Sequence, residues 1–467
     1  MQDGGRGNSG ARLLADNLAA WRGIVGRPVA TPQDLIANMR ALYAAVFDTD
    51  FAALDPANVK ALAMPASEAL FDLYLTLRDR LPEWHAQGLM TEGAPRAVRD
   101  AMRVLRYSID IVGEVANDYQ RIDENATPFP MFGGPAGWTL MHPGLGEGTS
   151  VDFRAGDVLL VRGRLSNSAA IARIGDVDAQ FSHVGIVHGE PASGQWLVEA
   201  LIEDGSVITP LEEVLNHGLG RAMLFRHRDP VLARNAASYA ADRVRGAQGT
   251  PWGWTPYDFS MEMEGEDRFF CSKLVRYGYV GASDGALAHL PTFPTRLSMK
   301  NRDFFDRLGV TAVDTFAPAD FEVEPVFDVV AEWRDYRVTS ALRMQDLVMS
   351  KLFDWMEDHG YRFKEGLGIS IMALLGRMTS IAPDAVKQAL SVALGLPRIP
   401  SNMKVRTITT IGMLHKTAQP ILQRLIALEE NRIKTSGRPL HPREVQEELE
   451  RIRLNSGGRI GYLVADG

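Results

Sequence analysis

The sequence predicts an α+β fold in which a small antiparallel sheet lies between two helical regions. Short apolar runs bounded by glycine, proline and acidic residues, which are typical of strands, occur in the middle of the chain. Apolar residues at helical spacing dominate before and after them. We therefore expect four consecutive regions: helical 1–123, linker 124–150, sheet-containing 151–330 and helical 331–467.

The N-terminal region is predicted to be helical from the spacing of its apolar residues. Leu35, Met39, Leu42 and Val46 share one helical face, and Thr31, followed by proline, is typical of a capped helix start. Two longer helical patterns follow, at residues 66–81 and 94–122. Residues 124–150 are rich in glycine and proline and cannot continue a helix, which predicts a linker that ends near residue 150.

The middle and the end of the chain differ in their patterns. Apolar runs separated by turns predict strands at residues 158–161, 181–187, 195–201 and 222–226. Helical patterns follow at residues 233–245 and 271–279, and again at residues 338–359, 384–394, 409–433 and 442–454.

Composition excludes several classes of function. The chain has 50 Lys and Arg against 58 Asp and Glu, with no basic block, so nucleic-acid binding is not indicated. A single cysteine excludes an internal disulfide. No Sec-type signal and no run of about 18 apolar residues is visible, so we expect no membrane span. The protein is expected in the cytoplasm unless a dedicated secretion system exports it.

Cys271, the only cysteine, lies where a loop gives way to a predicted helix. The unpaired N–H groups and the dipole of a helix N-terminus favour an anion, which lowers a thiol pKa. The same N–H groups can bind an oxyanion. A lone cysteine is more often a small buried apolar residue, so position alone leaves both interpretations open.

His183 and Glu199 are predicted to be partners on neighbouring strands. Each lies in an apolar run, where an unpaired imidazole or carboxylate is costly. Gly185 leaves space beside the His183 ring. A hairpin that turns near residues 190–193 pairs residues whose numbers sum to about 382, so that 183 faces 199. With Cys271 these residues supply a nucleophile, a base and an orienting acid. The alternatives are a core histidine and a solvent-exposed glutamate on an edge strand.

Four segments and one acidic residue carry a family resemblance. The segments are Gly-Asp-Val-Leu-Leu from Gly156, Ser-His-Val-Gly-Ile-Val from Ser182, Tyr-Asp-Phe from Tyr257 and Phe-Cys-Ser-Lys-Leu-Val from Phe270, and the acidic residue is Glu199 in the strand after His183. Together they resemble the circularly permuted branch of the NlpC/P60 superfamily of papain-like thiol hydrolases, and within it the YiiX/YebB/YaeF-like group. The histidine precedes the cysteine, as in the permuted branch. The resemblance covers roughly residues 150–325.

The resemblance implies a permuted papain-like core with Cys271 as nucleophile, His183 as base and Glu199 as orienting acid. It implies that Tyr257 donates to the oxyanion or lines the substrate pocket, although packing under the active-site helix is an equally compatible role. No metal site and no cofactor are implied. One departure is Lys273, which stands where the family has an acid; we expect it to be exposed and to alter the preference for substrate charge.

The implied activity is that of a cysteine hydrolase that works through a thioester acyl-enzyme. The first substrate class is an amide in cell-wall-type peptides. Lipid esters or fatty-acyl transfer, as in the related lecithin:retinol acyltransferase-like enzymes, are the alternative, and a non-catalytic binding or effector module is a third. Four aromatic residues are candidates for the pocket wall: Trp252, Trp254, Phe269 and Phe270. The helical flanks are expected to cap the cleft, dimerise or bind a protein partner.

Overall fold

The computed structural model describes most of the chain. The described ranges are residues 4–50, 53–91, 93–122, 129–145, 150–173, 175–176, 178–247, 253–297, 302–364 and 403–465, with side chains from residue 14 onward. The helix predicted at residues 384–394 lies outside these residues.

Within the described residues, six helices precede the sheet, in the region that the apolar spacing predicts to be helical. They are α1 (Gly4–Val25), α2 (Pro32–Phe47), α3 (Pro56–Ala61), α4 (Ala63–Asp79), α5 (Leu81–Ala86) and α6 (Ala94–Ala116). Helix α2 begins at the predicted cap, where the Thr31 hydroxyl accepts a hydrogen bond from the N–H of Asp34 and the Asp34 carboxylate accepts one from the N–H of Thr31. The face with Leu35, Met39 and Val46 is buried.

A seven-stranded sheet, in which every neighbouring pair is antiparallel, forms the centre of the molecule. Its strands are β1 (Thr139–Met141), β2 (Val158–Arg162), β3 (His183–Glu190), β4 (Gly194–Leu201), β5 (Gly205–Pro210), β6 (Arg221–His227) and β9 (Phe327–Arg334). Their order across the sheet is β1-β9-β6-β2-β3-β4-β5. This mixture of helices with an antiparallel sheet confirms the predicted α+β class.

The remaining helices lie between the strands of the sheet and after its last strand. Those between the strands are α7 (Ser166–Ala172), α8 (Leu211–Leu215), α9 (Pro230–Gly246), α10 (Cys271–Ala282), α11 (Asp303–Leu308) and a 3-10 turn at Pro318–Val323. The C-terminal helices are α12 (Thr339–Asp358), α13 (Val405–Ser436) and α14 (Pro442–Leu454). Two small sheets contain β7 (Thr295–Arg296) with β8 (Asp314–Thr315), and β10 (Tyr361–Phe363) with β11 (Arg459–Ile460) and β12 (Leu463–Ala465).

Strands β1 and β9 were not predicted from the sequence. β1 lies within the segment 124–150 and pairs with β9, which runs through the position of the predicted boundary at residue 330. All residues of β9 except Asp328 are buried. Its sequence alternates apolar Phe327, Val329, Ala331 and Trp333 with mainly polar residues, which is a strand pattern that the sequence analysis missed. The division into four regions stays a prediction.

Helices α9 and α10 pack at close range through small residues. The buried face of α9 is built from alanines, including Ala236 and Ala240. Opposite them stands Gly278 of α10, where an added Cβ would lie 2.6 Å from the carbonyl oxygen of Ala236. Both helices also pack against β3 and β4. Because α10 begins at Cys271, this contact fixes where the cysteine lies above the sheet.

Buried ion pairs join α6 to the sheet. Arg106 Nε lies 3.1 Å from Glu332 Oε1, and Arg334 Nη1 lies 3.0 Å from Asp110 Oδ1, while Arg221 also contacts Asp110. The side chains of these five residues are at most 1% exposed. Charges so deeply buried are tolerated because each has opposite charges around it.

The same kind of contact joins α6 to the C-terminal helices. Arg343 of α12 donates to both carboxylate oxygens of Glu114, at 2.7 and 2.9 Å. It also lies 3.5 Å from Glu429 of α13, which in turn accepts a hydrogen bond from Arg121 at 3.0 Å. The described helical flanks therefore pack on the seven-stranded sheet and on each other.

Candidate active site

Cys271 is the first residue of α10, as predicted. Phe270 is the N-cap, with extended backbone (φ −97°, ψ 168°), and the cysteine is 5% exposed. The first N–H groups of a helix have no partner within it, so those that follow Phe270 are available to an anion. Within reach of the sulfur are the Ser272 hydroxyl, 3.9 Å away, and the N–H of Val184, which donates to it.

His183 is the first residue of β3 and lies next to both of its predicted partners. Its Nε2 is 2.7 Å from Oε2 of Glu199, and its ring forms a hydrogen bond with the Cys271 thiol. Since Nε2 faces the carboxylate, Nδ1 is the nitrogen left for the sulfur. The His183 side chain is 21% exposed and that of Glu199 only 5%, so the pair is reached from solvent on the imidazole side.

The hairpin register differs from the predicted one by two. Glu199 pairs with Gly185, so the numbers of paired residues sum to 384, and Glu199 reaches His183 as a diagonal neighbour on the same face. Leu197 reaches Gly185 in the same diagonal sense, where an added Cβ would lie 2.6 Å from Leu197 Cγ. The expectation that Gly185 makes room for the imidazole is therefore wrong: the space is filled by Leu197.

Electrostatics favour a thiolate–imidazolium pair. Burial opposes the charged form of each group, but hydrogen bonds to Cys271 and Glu199 outweigh it and raise the pKa of His183 to about 10. For the same reason the hydrogen bond and positive charge of His183, with help from Ser272, lower the pKa of Cys271 despite its burial. Both shifts favour the form of the pair in which the proton is on the imidazole.

Glu199 is held as a carboxylate by two donors. Burial favours its neutral form, yet the hydrogen bond from His183 and that from Thr209, whose Oγ1 is 2.7 Å from Oε1, lower the pKa of Glu199. Thr209 belongs to β5, which the sequence analysis missed. The Asp204-Gly205 pair that precedes it is a hairpin-turn signal and points to this strand.

Tyr257 lies beside the cysteine and is 5% exposed. Burial, together with the negative charge of Cys271, raises the pKa of Tyr257 well above its ordinary value, so its hydroxyl keeps its proton and can donate. Its ring packs against Phe259 with centroids 5.1 Å apart, and its backbone bridges to Phe269. The position is compatible with the predicted roles of oxyanion donor and pocket wall.

Lys273 is not exposed, contrary to expectation. It is 3% exposed, its Nζ donates to Asp258 Oδ2 at 2.8 Å and to the Glu264 carbonyl at 2.7 Å, and it lies 5.9 Å from the centre of the Phe269 ring. Asp258 also accepts hydrogen bonds from the N–H and hydroxyl of Ser260. Lys273 therefore braces the loop that carries Tyr257, and its charge faces Asp258 instead of a substrate.

The aromatic residues expected to line the pocket do so only in part. Phe269 and Phe270 are 1% and 2% exposed and belong to the core. Trp252 lies outside the described residues, and Trp254 packs near Gly205. The aromatic residues Tyr257, Phe259 and Phe304 line a small cavity next to the cleft that contains His183.

Two cavities meet at Tyr257. One is a polar cleft of about 370 Å³ that contains His183 and Glu199 together with Glu203, Glu213 and His217. The other, of about 80 Å³, is lined mainly by apolar side chains, and its polar lining residues are Ser166, Asn167, Thr407 and His415. Four residues line both: Asn167, Ile171, Ile202 and Tyr257. Tyr257 therefore lies between a polar space that contains His183 and Glu199 and a mainly apolar space.

Comparison with protein families identifies the central segment. Residues 152–322 match the family model described as a permuted papain-like amidase enzyme of the YaeF/YiiX, C92 family, which confirms the predicted relationship for this segment. Comparisons with curated proteins and with solved structures gave no match. No helix in the described residues is long and apolar enough to cross a membrane.

Proposed function

Since residues 152–322 match the model of a permuted papain-like amidase family, we propose that the protein cleaves amide bonds through a thioester on Cys271. His183 is the proposed general acid and base, and Glu199 orients its ring. The observation that carries the proposal is the continuous hydrogen-bonded series from Cys271 through His183 to Glu199. A buried cysteine with only a packing role has no need of such partners.

The first half-reaction follows from the proton's position. The Cys271 thiolate attacks the carbonyl carbon, and a tetrahedral intermediate forms with its negative charge on the former carbonyl oxygen. The N–H groups at the start of α10 and the Tyr257 hydroxyl are the donors we assign to that oxygen. The His183 imidazolium then gives its Nδ1 proton to the departing nitrogen, the C–N bond breaks, and the acyl group remains on sulfur as a thioester.

The second half-reaction releases the acyl group. His183, now neutral, takes a proton from water, whose oxygen attacks the thioester carbonyl. The C–S bond breaks, the thiolate leaves, and the imidazolium restores the starting ion pair. Glu199 stabilises the positive charge of the ring at each stage and holds Nε2 so that Nδ1 points to the reacting atoms.

The proposal is tested by trapping the intermediate. Wild type and Cys271→Ala are mixed with a γ-D-glutamyl peptide, an N-acyl glycinamide and a phospholipid. The reaction is quenched in acid, the mass of the intact protein is measured by mass spectrometry, and the released amine and fatty acid are quantified. We expect amine release and a mass increase equal to one acyl group in the wild type alone, because acid preserves the thioester.

A matched control guards against an indirect effect of mutation. Glu190→Gln changes a glutamate at the exposed end of β3, away from the hydrogen-bonded series, and should retain activity, whereas Glu199→Gln should lower it. Amine release that is the same in wild type and Cys271→Ala would overturn the proposal. Fatty-acid release from the phospholipid without any amine release would replace the amidase with a lipid esterase on the same cysteine.

A further inference from the structure

We infer that Thr209 is a positioning residue for the reaction and the fourth member of the hydrogen-bonded series that begins at Cys271. Its hydroxyl fixes the Glu199 carboxylate, and that carboxylate in turn fixes the His183 ring. The inference rests on the proposed function and adds to it a residue of β5 that acts through Glu199.

Three neighbouring strands place the side chains of this series on one face of the sheet. Between β4 and β5, Glu199 pairs with Val207 and Leu197 pairs with Thr209, so Thr209 is a diagonal neighbour of Glu199. His183 of β3 is the diagonal neighbour of Glu199 on its other side. The relative positions of the three side chains are therefore set by the pairing of strands.

The Glu199 carboxylate is bound at both of its oxygens. Its Oε2 lies 2.7 Å from His183 Nε2, and its Oε1 accepts a hydrogen bond from the Thr209 hydroxyl at 2.7 Å. The terminal torsion of a glutamate side chain is broad and roughly two-fold, so a carboxylate with one partner can turn about that bond. A partner on the second oxygen removes this freedom. Thr209 therefore fixes the plane in which Glu199 meets the imidazole.

Burial makes the Thr209 hydroxyl hard to replace by water. The side chain of Glu199 is only 5% exposed. Burial opposes its charged form, and the hydrogen bonds from His183 and Thr209 outweigh this effect and lower the pKa of Glu199. Without the hydroxyl the pKa of Glu199 rises, and the less firmly held carboxylate stabilises the imidazolium less.

Other ionisable groups act on Glu199 from the neighbouring elements. His183 faces it from β3, and the positive charge of His217, which follows α8, also favours its ionised form. Glu203 and Glu213 line the same cleft. All of these groups remain when the Thr209 hydroxyl is removed, so a difference between the pH profiles of two such proteins reports the hydroxyl.

The pH dependence of Cys271 alkylation by iodoacetamide tests the inference without a substrate. Thr209→Val keeps the shape of the side chain, so the midpoint of the rate profile should move to higher pH by about half a unit or more, but less than in Glu199→Leu. Thr209→Ser restores the hydroxyl and should restore the wild-type profile. In a Glu199→Leu background, Thr209→Val should have no further effect, because the acceptor is gone. Thr209→Ala removes the same hydroxyl and replaces the valine variant if that does not fold.

Ser206→Ala is the matched control. Ser206 is also a buried hydroxyl residue of β5, but it pairs with Ala200 on the opposite face of the sheet, and its hydroxyl has no hydrogen-bond partner among the described residues. This variant should leave the profile unchanged. Coincident profiles of wild type and Thr209→Val would overturn the inference. An equal shift in Ser206→Ala, or a shift by Thr209→Val that persists in the Glu199→Leu background, would overturn it too.

Turnover of an N-acyl glycinamide separates the inference from the proposed function. Thr209→Val should lower kcat about tenfold with KM little changed, and Thr209→Ser should recover most of the loss. A higher KM with unchanged kcat would make Thr209 a substrate contact in the cleft and overturn the positioning role. If wild type releases no amine while the alkylation profiles differ as expected, the proposed function fails and the positioning role stands. If wild type releases amine but Thr209→Val shares its kcat and its alkylation profile, the proposed function stands and the inference fails.

Discussion

Replacing Lys273 by methionine removes the cation that braces the loop of Tyr257. The contacts of Lys273 give the expected decrease in the free energy of unfolding. The Lys273 and Asp258 side chains are only 4% and 9% exposed and lie 2.8 Å apart, so the substitution leaves a buried carboxylate without its counter-charge. Removing one member of a buried pair costs about 3–5 kcal/mol. Asp258 keeps two hydrogen bonds from Ser260, which favours the lower end, while the Glu264 carbonyl loses a donor worth about 1 kcal/mol. We expect Lys273→Met to lower the free energy of unfolding by about 3–4 kcal/mol.

Urea denaturation followed by tryptophan fluorescence measures this loss. The double variant Lys273→Met, Asp258→Asn removes both charges and should recover about 1–2 kcal/mol relative to Lys273→Met alone, since no buried charge is left unpaired. A loss below about 0.5 kcal/mol, which is typical of exposed positions, would refute the bracing role. The bracing role would also be refuted if the decrease in the free energy of unfolding of the double variant equalled the sum of the decreases of the two single variants.

Three further predictions concern the base, the oxyanion donor and the helix that carries the nucleophile. Glu199→Gln removes the carboxylate that helps raise the pKa of His183 to about 10. Because the imidazolium is present below that pH and lost above it, the alkaline limb of the kcat/KM profile should move to lower pH by at least about one unit. Tyr257→Phe should lower kcat on the order of 10²-fold with KM little changed in steady-state assays, and an unchanged kcat would leave the ring a packing role only. Gly278→Val forces a side chain against the Ala236 carbonyl and should destabilise the protein by about 2–3 kcal/mol in urea, whereas a neutral effect would show that the two helices can separate freely.

The residues of the site were predictable because local pattern and chemistry agree there. His183 and Glu199 lie in apolar runs that only a partner makes tolerable, and the short turn between their strands brings them together without any long-range assumption. The side-chain contact between them is correct although the backbone register is shifted by two, because side chains on a twisted hairpin reach diagonally. The prediction of Cys271 as the nucleophile also required recognising that a helix begins at this residue.

Other features depend on contacts that single-sequence patterns do not record. The environment of Lys273 is set by a carboxylate fifteen residues earlier, so helical spacing alone gave it the wrong exposure. Strand β9 carries an alternation that could have been recognised, whereas the short β1 has a place only because β9 pairs with it. The small, mainly apolar cavity next to Tyr257 joins residues more than 200 positions apart, and its apolar lining residues are indistinguishable in the sequence from ordinary core.

The pH dependence of Cys271 alkylation tests the central claim most directly, since the chain contains no other thiol. In the wild type, the rate of reaction with iodoacetamide should already be near its maximum at neutral pH, because His183 lowers the pKa of the thiol. In His183→Gln the rate should rise at a higher pH than in the wild type, at or above the ordinary thiol value of about 8.5, because burial raises the pKa of the thiol once the imidazolium is removed. Coincident profiles for the two proteins, both rising near that value, would contradict a thiolate–imidazolium pair at this site.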